Sequence, residues 1–304
     1  MQNRMQTFKK EEKTMEKIYI VYNPLSCSGQ GKAFAEKAAE FYKADEVAYI
    51  NICETDYAKI FAEIEQEAKV VICGGDGTVN HFVNETADIS FENSIYYYAT
   101  GTGNDFLRDI EAVQGEAPVC IDKYIKNLPV VKVNGNEFRF INNIGFGIDG
   151  YCCEVGDEQR AKKKDKINYT AIAIKGLLFH YKPTKATVIV DGKEYNYKKV
   201  WLAPTMKGRF YGGGMMPTPV QNRLNEDGTV SVLVFFGSGK LKTLMIFPSL
   251  FKGEHLKNTK HTKVHTGKKI TVRFDSPRAA QIDGETVTGV TEYTVEAGVP
   301  AIVK

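Results

Sequence analysis

The chain has 304 residues, 43% hydrophobic and 25% charged, the mix of a folded protein with a sizeable core rather than of a disordered chain. Its 40 Lys and Arg against 37 Asp and Glu leave a net charge of +3, too slight for a dedicated nucleic-acid-binding protein. Apolar runs such as Val230 to Phe236 and Leu244 to Phe251 fall well short of the roughly 20 residues a membrane-spanning helix needs.

Residues 1–16 are rich in Lys, Glu and Gln and read as a disordered extension, not a secretory signal peptide, so a cytoplasmic location is expected. From Lys17 short apolar runs alternate with helical stretches: Ile18 to Tyr22, Lys32 to Lys43, Glu46 to Ile52, Tyr57 to Glu67, Val70 to Cys73 and Val79 to Thr86. Strands alternating with helices of this length predict βαβ units around a mainly parallel sheet, so an α/β domain is expected over 17–122. In the helix after Cys73, Val79, Phe82, Val83 and Thr86 recur at three- and four-residue spacing and give one packing face.

After Asp122 the pattern becomes β-rich, and 123–304 is expected to form a second, β-sandwich-like domain whose C-terminal segment can pack back onto the first. Asn134-Gly135, Asp191-Gly192, Asp227-Gly228 and Asp283-Gly284 stand between apolar runs and predict primed hairpin turns in antiparallel sheets. One helix is expected between Lys166 and Tyr181, with Ile167, Ile174, Leu177 and Leu178 on a shared face. The six cysteines form no CxxC pair and read as reduced, mostly buried thiols. His255, His261 and His265 lie in a Lys-rich stretch and read as a solvated face, not a zinc site. Arg160 to Lys166 and the pair Lys207, Arg209 read as solvated surface that could attract anionic lipid headgroups.

Three glycine-rich segments in the first half fall where a strand ends and a helix begins: Asn23 to Gly31, Gly74 to Thr78 (GGDGT) and Gly101 to Asp105 (GTGND). There, exposed backbone N–H groups and the helix dipole attract anions, and glycine lets phosphate approach closely. Each loop alone could simply turn the chain; three in one sheet point to a polyphosphate site. A Walker A loop is excluded because Ser26 stands at the first glycine position and Ala33 follows Lys32. The one GxGxxG, Gly145 to Gly150, lies in the β-rich half with no convincing helix after it, so it is not read as a dinucleotide fingerprint.

GGDGT after an apolar strand, together with GTGNDF from Gly101 to Phe106, resembles the diacylglycerol kinase catalytic-domain family, which includes bacterial lipid kinases and the sphingosine and ceramide kinases. Supporting segments are Asn23-Pro24 with Ser28-Gly29, the run Gly212 to Gly214 followed by Asp227-Gly228, and Ile282 to Glu285. The resemblance spans about Lys17 to Lys304 and implies an NAD kinase/phosphofructokinase-like parallel sheet in the first domain. It implies an ATP-dependent lipid kinase with diacylglycerol as the leading substrate. Another lipid kinase (sphingoid base, glycerolipid or polyprenol), an NAD kinase, and a catalytically silent nucleotide- or lipid-binding regulator are the alternatives.

By the same resemblance Gly74, Gly75, Gly77, Thr78, Asn80, Gly101, Thr102, Gly103, Asn104 and Asp105 cradle the nucleotide, with Asn23, Ser28, Gly29 and Thr55 nearby. Asp76 would hold the catalytic Mg²⁺, Glu285 would be the general base, and Asp283 joins them as a catalytic acid in the same turn. Asp122 is a further acid expected at the cleft between domains. A second, structural Mg²⁺ is implied at the Asp227 carboxylate and the backbone oxygens of Leu224 and Thr229. The expected partner is a lipid at the inner face of the membrane, met by peripheral association, and a homodimer is left open.

Overall fold

A computed structural model describes residues 17–162 and 167–298; the expected N-terminal extension, the end of the basic segment (163–166) and the side chain of Ser28 lie outside the described residues. The first half runs β1 (Lys17–Tyr22), α1 (Ser26–Gly29), α2 (Gly31–Ala39), β2 (Glu46–Asn51), α3 (Tyr57–Glu63), β3 (Lys69–Gly74), α4 (Asp76–Glu85), β4 (Ile95–Ala99), α5 (Asp105–Asp109), β5 (Val119–Cys120) and α6 (Asp122–Ile125). Its sheet has the order β2-β1-β3-β4-β5, with the first four strands parallel and β5 antiparallel. The expected face of α4 forms, with Val79, Phe82 and Val83 buried in one core with Ile72, Tyr97 and Phe106. Because the strands are parallel, the loops after β1, β2, β3 and β4 all emerge at one edge, where open α/β sheets bind ligands.

The second half contains β6 (Val130–Val133), β7 (Asn136–Arg139), β8 (Asn143–Phe146), α7 (Ile148–Ala161), α8 (Tyr169–Lys175), β9 (Thr184–Val190), β10 (Lys193–Leu202), β11 (Thr205–Met206), β12 (Val230–Phe236), α9 (Lys240–Ile246), β13 (Thr262–Gly267), β14 (Lys269–Ile282) and β15 (Glu285–Glu296). All its named pairings are antiparallel. The 14-residue β14 pairs with β9 at one end and β8 at the other, so the sheet folds over a core holding Phe146, Phe274 and Tyr293. The two sheets divide between Cys120 and Val130, and β15 pairs with β6 in the second sheet; the end of the C-terminal segment, 299–304, lies outside the described residues.

Asn134-Gly135, Asp191-Gly192 and Asp283-Gly284 each join two strands with both residues at positive φ, as a type I′ turn requires. Asp227-Gly228 does not: only Gly228 is at positive φ, and it closes a loop before β12.

Four other expectations are corrected. A 14-residue helix, α7, does follow Gly145 to Gly150, though β8 is antiparallel, so no βαβ unit forms. The predicted helix before Tyr181 ends in a π-helical turn (Gly176–His180) whose extra residue rotates the apolar face; Ile172, Ala173 and Leu177 are buried while Ile174 faces solvent. The three histidines are engaged: His255 is fully buried with Nε2 2.9 Å from the Pro217 carbonyl, His265 meets Tyr197 Oη at 2.6 Å, and His261 meets the Phe236 carbonyl. Cys53 and Cys120 are exposed, whereas Cys73 and Cys152 are buried.

Candidate functional site

Asp76 opens α4 directly after the β3 strand end. Gly74 is required there because a Cβ on it would fall 2.2 Å from Thr78 Oγ1, and Gly75 lets the loop rest on Gly101, whose own Cβ would fall 2.8 Å from the Gly75 Cα. The GGDGT and GTGND loops are therefore one surface. Asp76 Oδ2 accepts hydrogen bonds from the backbone N–H of Asp105 (2.8 Å) and Phe106 (3.4 Å) and from Asn142 Nδ2 (3.0 Å). Its Oδ1 is buried and has no partner. Burial pushes this carboxyl above the usual range, against those three donors and the nearby Arg223 charge.

Asn104 adopts a left-handed backbone (φ 45°) that turns the chain into α5, and its Nδ2 donates to the Gly101 carbonyl at 2.6 Å. Asp105 Oδ2 accepts from the Gly213 N–H at 2.7 Å, which ties the first domain to the glycine run of the second. Gly212, Gly213 and Gly214 all have positive φ, so that run needs glycine. Burial pushes the Asp105 carboxyl up to about 6. Asn104 Oδ1 and Asp105 Oδ1, like Asp76 Oδ1, are buried without partners.

Three orphaned oxygen acceptors, two of them carboxylate, are the hard donor set that suits Mg²⁺. Among the described residues no three His, Cys, Asp or Glu side chains converge on a metal position, so Asp76 and Asp105 are the residues that would hold a cation here. Thr102 and Gly103 are exposed on the open side of this cradle.

Glu285 is the first residue of β15, exposed, and positioned by the Asp283-Gly284 turn. A Cβ placed on Gly77 would lie 3.9 Å from Glu285 Oε1, so this carboxylate stands directly over the N-terminus of α4. Asp283, expected to be catalytic, is committed elsewhere. Its oxygens accept from the N–H groups of Ile141 (2.6 Å), Asn142 (2.8 Å) and Asn143 (2.9 Å) and from Asn80 Nδ2 (2.7 Å). It is a positioning residue that fixes where Glu285 stands. Asn80, expected at the nucleotide, spends its amide on Asp283 and the Arg139 carbonyl, so it braces the two domains.

Asn23 Oδ1 caps the Leu25 N–H at 2.9 Å, and Gly31 packs against the Asn23 carbonyl where any Cβ would clash. Gly29 is at positive φ in the same loop, and Thr55 Oγ1 donates to the Asn51 carbonyl after β2. These residues share the sheet edge of the Asp76 loop without touching Asp76 through any of these bonds. Leu224, Asp227 and Thr229 lie in a separate loop. Asp227 is exposed, and the Thr229 carbonyl already accepts from Gln221 Nε2 and Asn225 Nδ2, each at 2.9 Å. In this arrangement the loop does not fit a metal.

Asp122 is also not at the cleft: its Oδ1 caps the Ile95 N–H at 2.7 Å, at the opposite end of β4 from Gly101. Lys207 and Arg209 are not solvated surface. Lys207 is 3% exposed, and burial followed by the Arg223 charge lowers its pKa to about 8. Arg209 holds Asp109 Oδ1 through Nε at 2.9 Å.

Sequence reasoning missed Arg223 and Asn142. Arg223 donates from Nε to Asp109 Oδ2 (2.8 Å), from Nη2 to Asn142 Oδ1 (2.9 Å) and from Nη1 to the Ile141 carbonyl, and lies over the Phe106 ring at 4.7 Å. It thereby orients the Asn142 amide onto Asp76. A second buried carboxyl, Asp149, is pushed by burial up to about 6 and has Tyr211 Oη at 3.5 Å. No local motif marks Arg223 or Asn142, because their partners are distant in the chain, whereas Asp149 lies within the Gly145 to Gly150 segment.

Residues 17–132 match the family described as the diacylglycerol kinase catalytic domain, and residues 142–304 the family described as the YegS C-terminal NAD kinase beta sandwich-like domain. Two relatives named diacylglycerol kinase are similar over most of both chains. That of Bacillus subtilis (strain 168) is 24% identical over 89% of this chain and 90% of its own. That of Mycobacterium tuberculosis (strain ATCC 25618 / H37Rv) is 25% identical over 86% and 85%. A crystal structure of a diacylglycerol kinase from Bacillus anthracis str. Sterne shares the fold with TM-score 0.58 at 19% identity, over 95% of this chain and 99% of that one. A further structure from the same strain reaches TM-score 0.65 at 21% identity, over 98% and 100%.

Proposed function

Because this chain belongs to the diacylglycerol kinase catalytic-domain family, we propose that it transfers the γ-phosphate of ATP to a lipid hydroxyl, with diacylglycerol as substrate and phosphatidic acid as product. The observation that carries this reading is the opposition of two carboxylates of different character. Asp76 is buried with one free oxygen at a helix N-terminus, and Glu285 is exposed and stands over the same helix start.

Phosphoryl transfer asks the protein mainly for alignment, charge neutralisation and a proton acceptor. The N-terminus of α4 and the Gly74, Gly75 and Gly101 backbone accept phosphate closely, and the glycines keep side chains out of the approach. Asp76 and Asp105 would hold Mg²⁺ through their unpartnered oxygens. When bound, the ion supplies neutralisation of phosphate charge. Asn142, held by Arg223, keeps Asp76 Oδ2 engaged and leaves Oδ1 without a protein partner. Glu285, kept in place by the Asp283 anchor, takes the proton from the lipid hydroxyl. A lipid acceptor places the work at the inner face of a membrane, by peripheral association.

The test is transfer of radiolabelled phosphate from ATP into a panel of dispersed lipids, with NAD as a soluble control. Label in diacylglycerol supports the reading. Label in another lipid or in NAD reassigns the substrate, and no label despite ATP binding refutes the kinase assignment. Glu285→Gln is expected to lower turnover by about 10²–10⁴ while ATP binding survives; near-normal turnover would remove it as the base.

A further inference from the structure

The second domain carries an apolar surface that the chemistry above does not use. Leu241 (76% exposed) and Met245 (68%) stand one turn apart on α9, with Pro248 following at the next turn, and Phe179 (70%) projects from the π-helical turn beside them. The two elements are joined, since Lys240 Nζ donates to the Leu178 carbonyl at 2.7 Å. Phe251 in the following 3₁₀ segment (Phe247–Lys252) is also exposed. The other side of α9 is buried through Thr243 and Ile246, so this helix has a core face and a second apolar face that is exposed among the described residues.

The charge around this face has one sign. Segments 167–182 and 239–263 hold Lys175, Lys182, Lys240, Lys242, Lys252, Lys257, Lys260 and Lys263, and their only acid is Glu254, which Lys257 pairs at 3.0 Å. The chain as a whole is nearly balanced at +3, so this asymmetry is local. Exposed apolar side chains on lysine-rich segments match the layered chemistry of an anionic bilayer, in which acyl chains lie beneath negative headgroups. A soluble acidic protein would match the lysines without explaining why four large apolar side chains stand in water.

The position suits the task. Gly176 of the π turn packs against Ile148 and Tyr151 on α7, and Asp157 on the same helix accepts from Thr286 Oγ1 at 2.6 Å, next to Glu285. Only α7 separates the apolar face from the strand that presents the general base.

We propose that Phe179, Leu241, Met245 and Phe251, with the lysines around them, form the face by which this protein docks on an anionic lipid bilayer. The proposal rests on the lipid-kinase reading for its purpose, though not for its test. Full-length protein is sedimented with phosphatidylcholine vesicles with and without phosphatidylglycerol. In parallel, turnover is measured on a short-chain diacylglycerol below its micelle concentration, which needs no docking.

Wild type is expected to bind the anionic vesicles and to be released by high salt. Leu241→Asp with Met245→Asp should lose that binding by tenfold or more. Lys242→Glu with Lys252→Glu should lose at least about fivefold per lysine. Both are expected to keep the wild-type melting temperature and turnover of the soluble substrate. Lys43→Glu with Lys59→Glu, on the first domain, makes the same charge change and should bind as wild type does. Wild-type vesicle binding by both second-domain variants would overturn the proposal. So would a dimer in solution that the Leu241→Asp, Met245→Asp protein loses while vesicle binding persists, since the face would then cover a second copy. Docking that depends on these residues with no turnover of either substrate would sustain the docking face and refute the kinase reading instead.

Discussion

Asp283→Ala separates holding the proposed base, Glu285, from acting as that base. The substitution leaves three backbone N–H groups, those of Ile141, Asn142 and Asn143, and the Asn80 amide without their acceptor. Each buried donor left unpaired costs about 1–3 kcal/mol. Asp283 is itself only partly buried and water can reach some of the gap, so the sum is expected at about 3–5 kcal/mol and not at the additive maximum. At roughly 1.5–2 °C per kcal/mol for a chain of this length, Tm should fall by about 5–10 °C. The matched control sits two residues away: Glu285→Gln removes an exposed carboxylate and should move stability by no more than about 0.5 kcal/mol. Asp283→Asn keeps a residue that tolerates the left-handed turn at φ 46° and isolates the loss of charge, so it should fall between the two. Thermal unfolding followed by circular dichroism, with turnover measured below the lowest Tm, gives both axes. If Asp283→Ala melts within about 2 °C of Glu285→Gln, the anchor carries no strain-bearing load and the assignment of roles within this turn is wrong.

Asp76→Asn keeps the shape and the hydrogen-bonded Oδ2 position but removes the charge at the orphaned oxygen, so turnover should be abolished with little change in Tm, read by phosphate transfer and a melting curve. Arg223→Met should cost about 3 kcal/mol, the low end for a broken buried ion pair because Arg209 still holds Asp109 Oδ1, and should lower turnover by freeing the Asn142 amide from Asp76; denaturant unfolding and steady-state kinetics check the two effects. Burial raises the Asp105 and Asp149 carboxyls to about 6, above their unfolded value. Between about pH 4 and about pH 6 the folded chain therefore holds protons that the unfolded chain has released, and the contribution of these groups to stability falls as pH rises through that window. Asp149→Asn has no such proton and should flatten the dependence of Tm on pH there.

The Asp76 loop was legible because its requirements are local. A strand end, a glycine whose Cβ has no room and an acid at a helix start are all written within five residues. The three type I′ turns were legible for the same reason: positive φ at two successive positions restricts what can stand there. The helix α7 was not, because its glycines argue against helix on propensity. They serve close packing instead: a Cβ on Gly150 would fall 2.1 Å from the Ala279 carbonyl, and one on Gly156 would meet the Tyr169 ring. Arg223 and Lys207 were illegible because a charged residue in a polar stretch reads as solvated, whereas the acid that holds Arg223 underground, Asp109, is 114 residues away. Asp283 and Asn80 fall in family motifs and were therefore expected at the chemistry, but their partners are each other, 203 residues apart in the chain.

The placement of those struts bears on how the site excludes water. The phosphate-facing loops belong to the first domain and Glu285 to the second, an arrangement in which kinases commonly close one part over the other. Here the two parts are joined near the proposed site by polar bonds, most of them partly buried: Asp283 to Asn80, Asn84 to the Arg139 backbone, and Arg223 and Arg209 to Asp109. Opening the gap between Gly77 and Glu285 would break several of these at about 1–3 kcal/mol each. A hinge that costs so much near its own active site is a poor lid. Glu285 nevertheless stays exposed, and its side has no covering segment among the described residues. The remaining cover is the substrate's own surroundings. A protein seated on a bilayer by the α9 face would hold the Glu285 strand one helix away from the membrane that supplies the lipid.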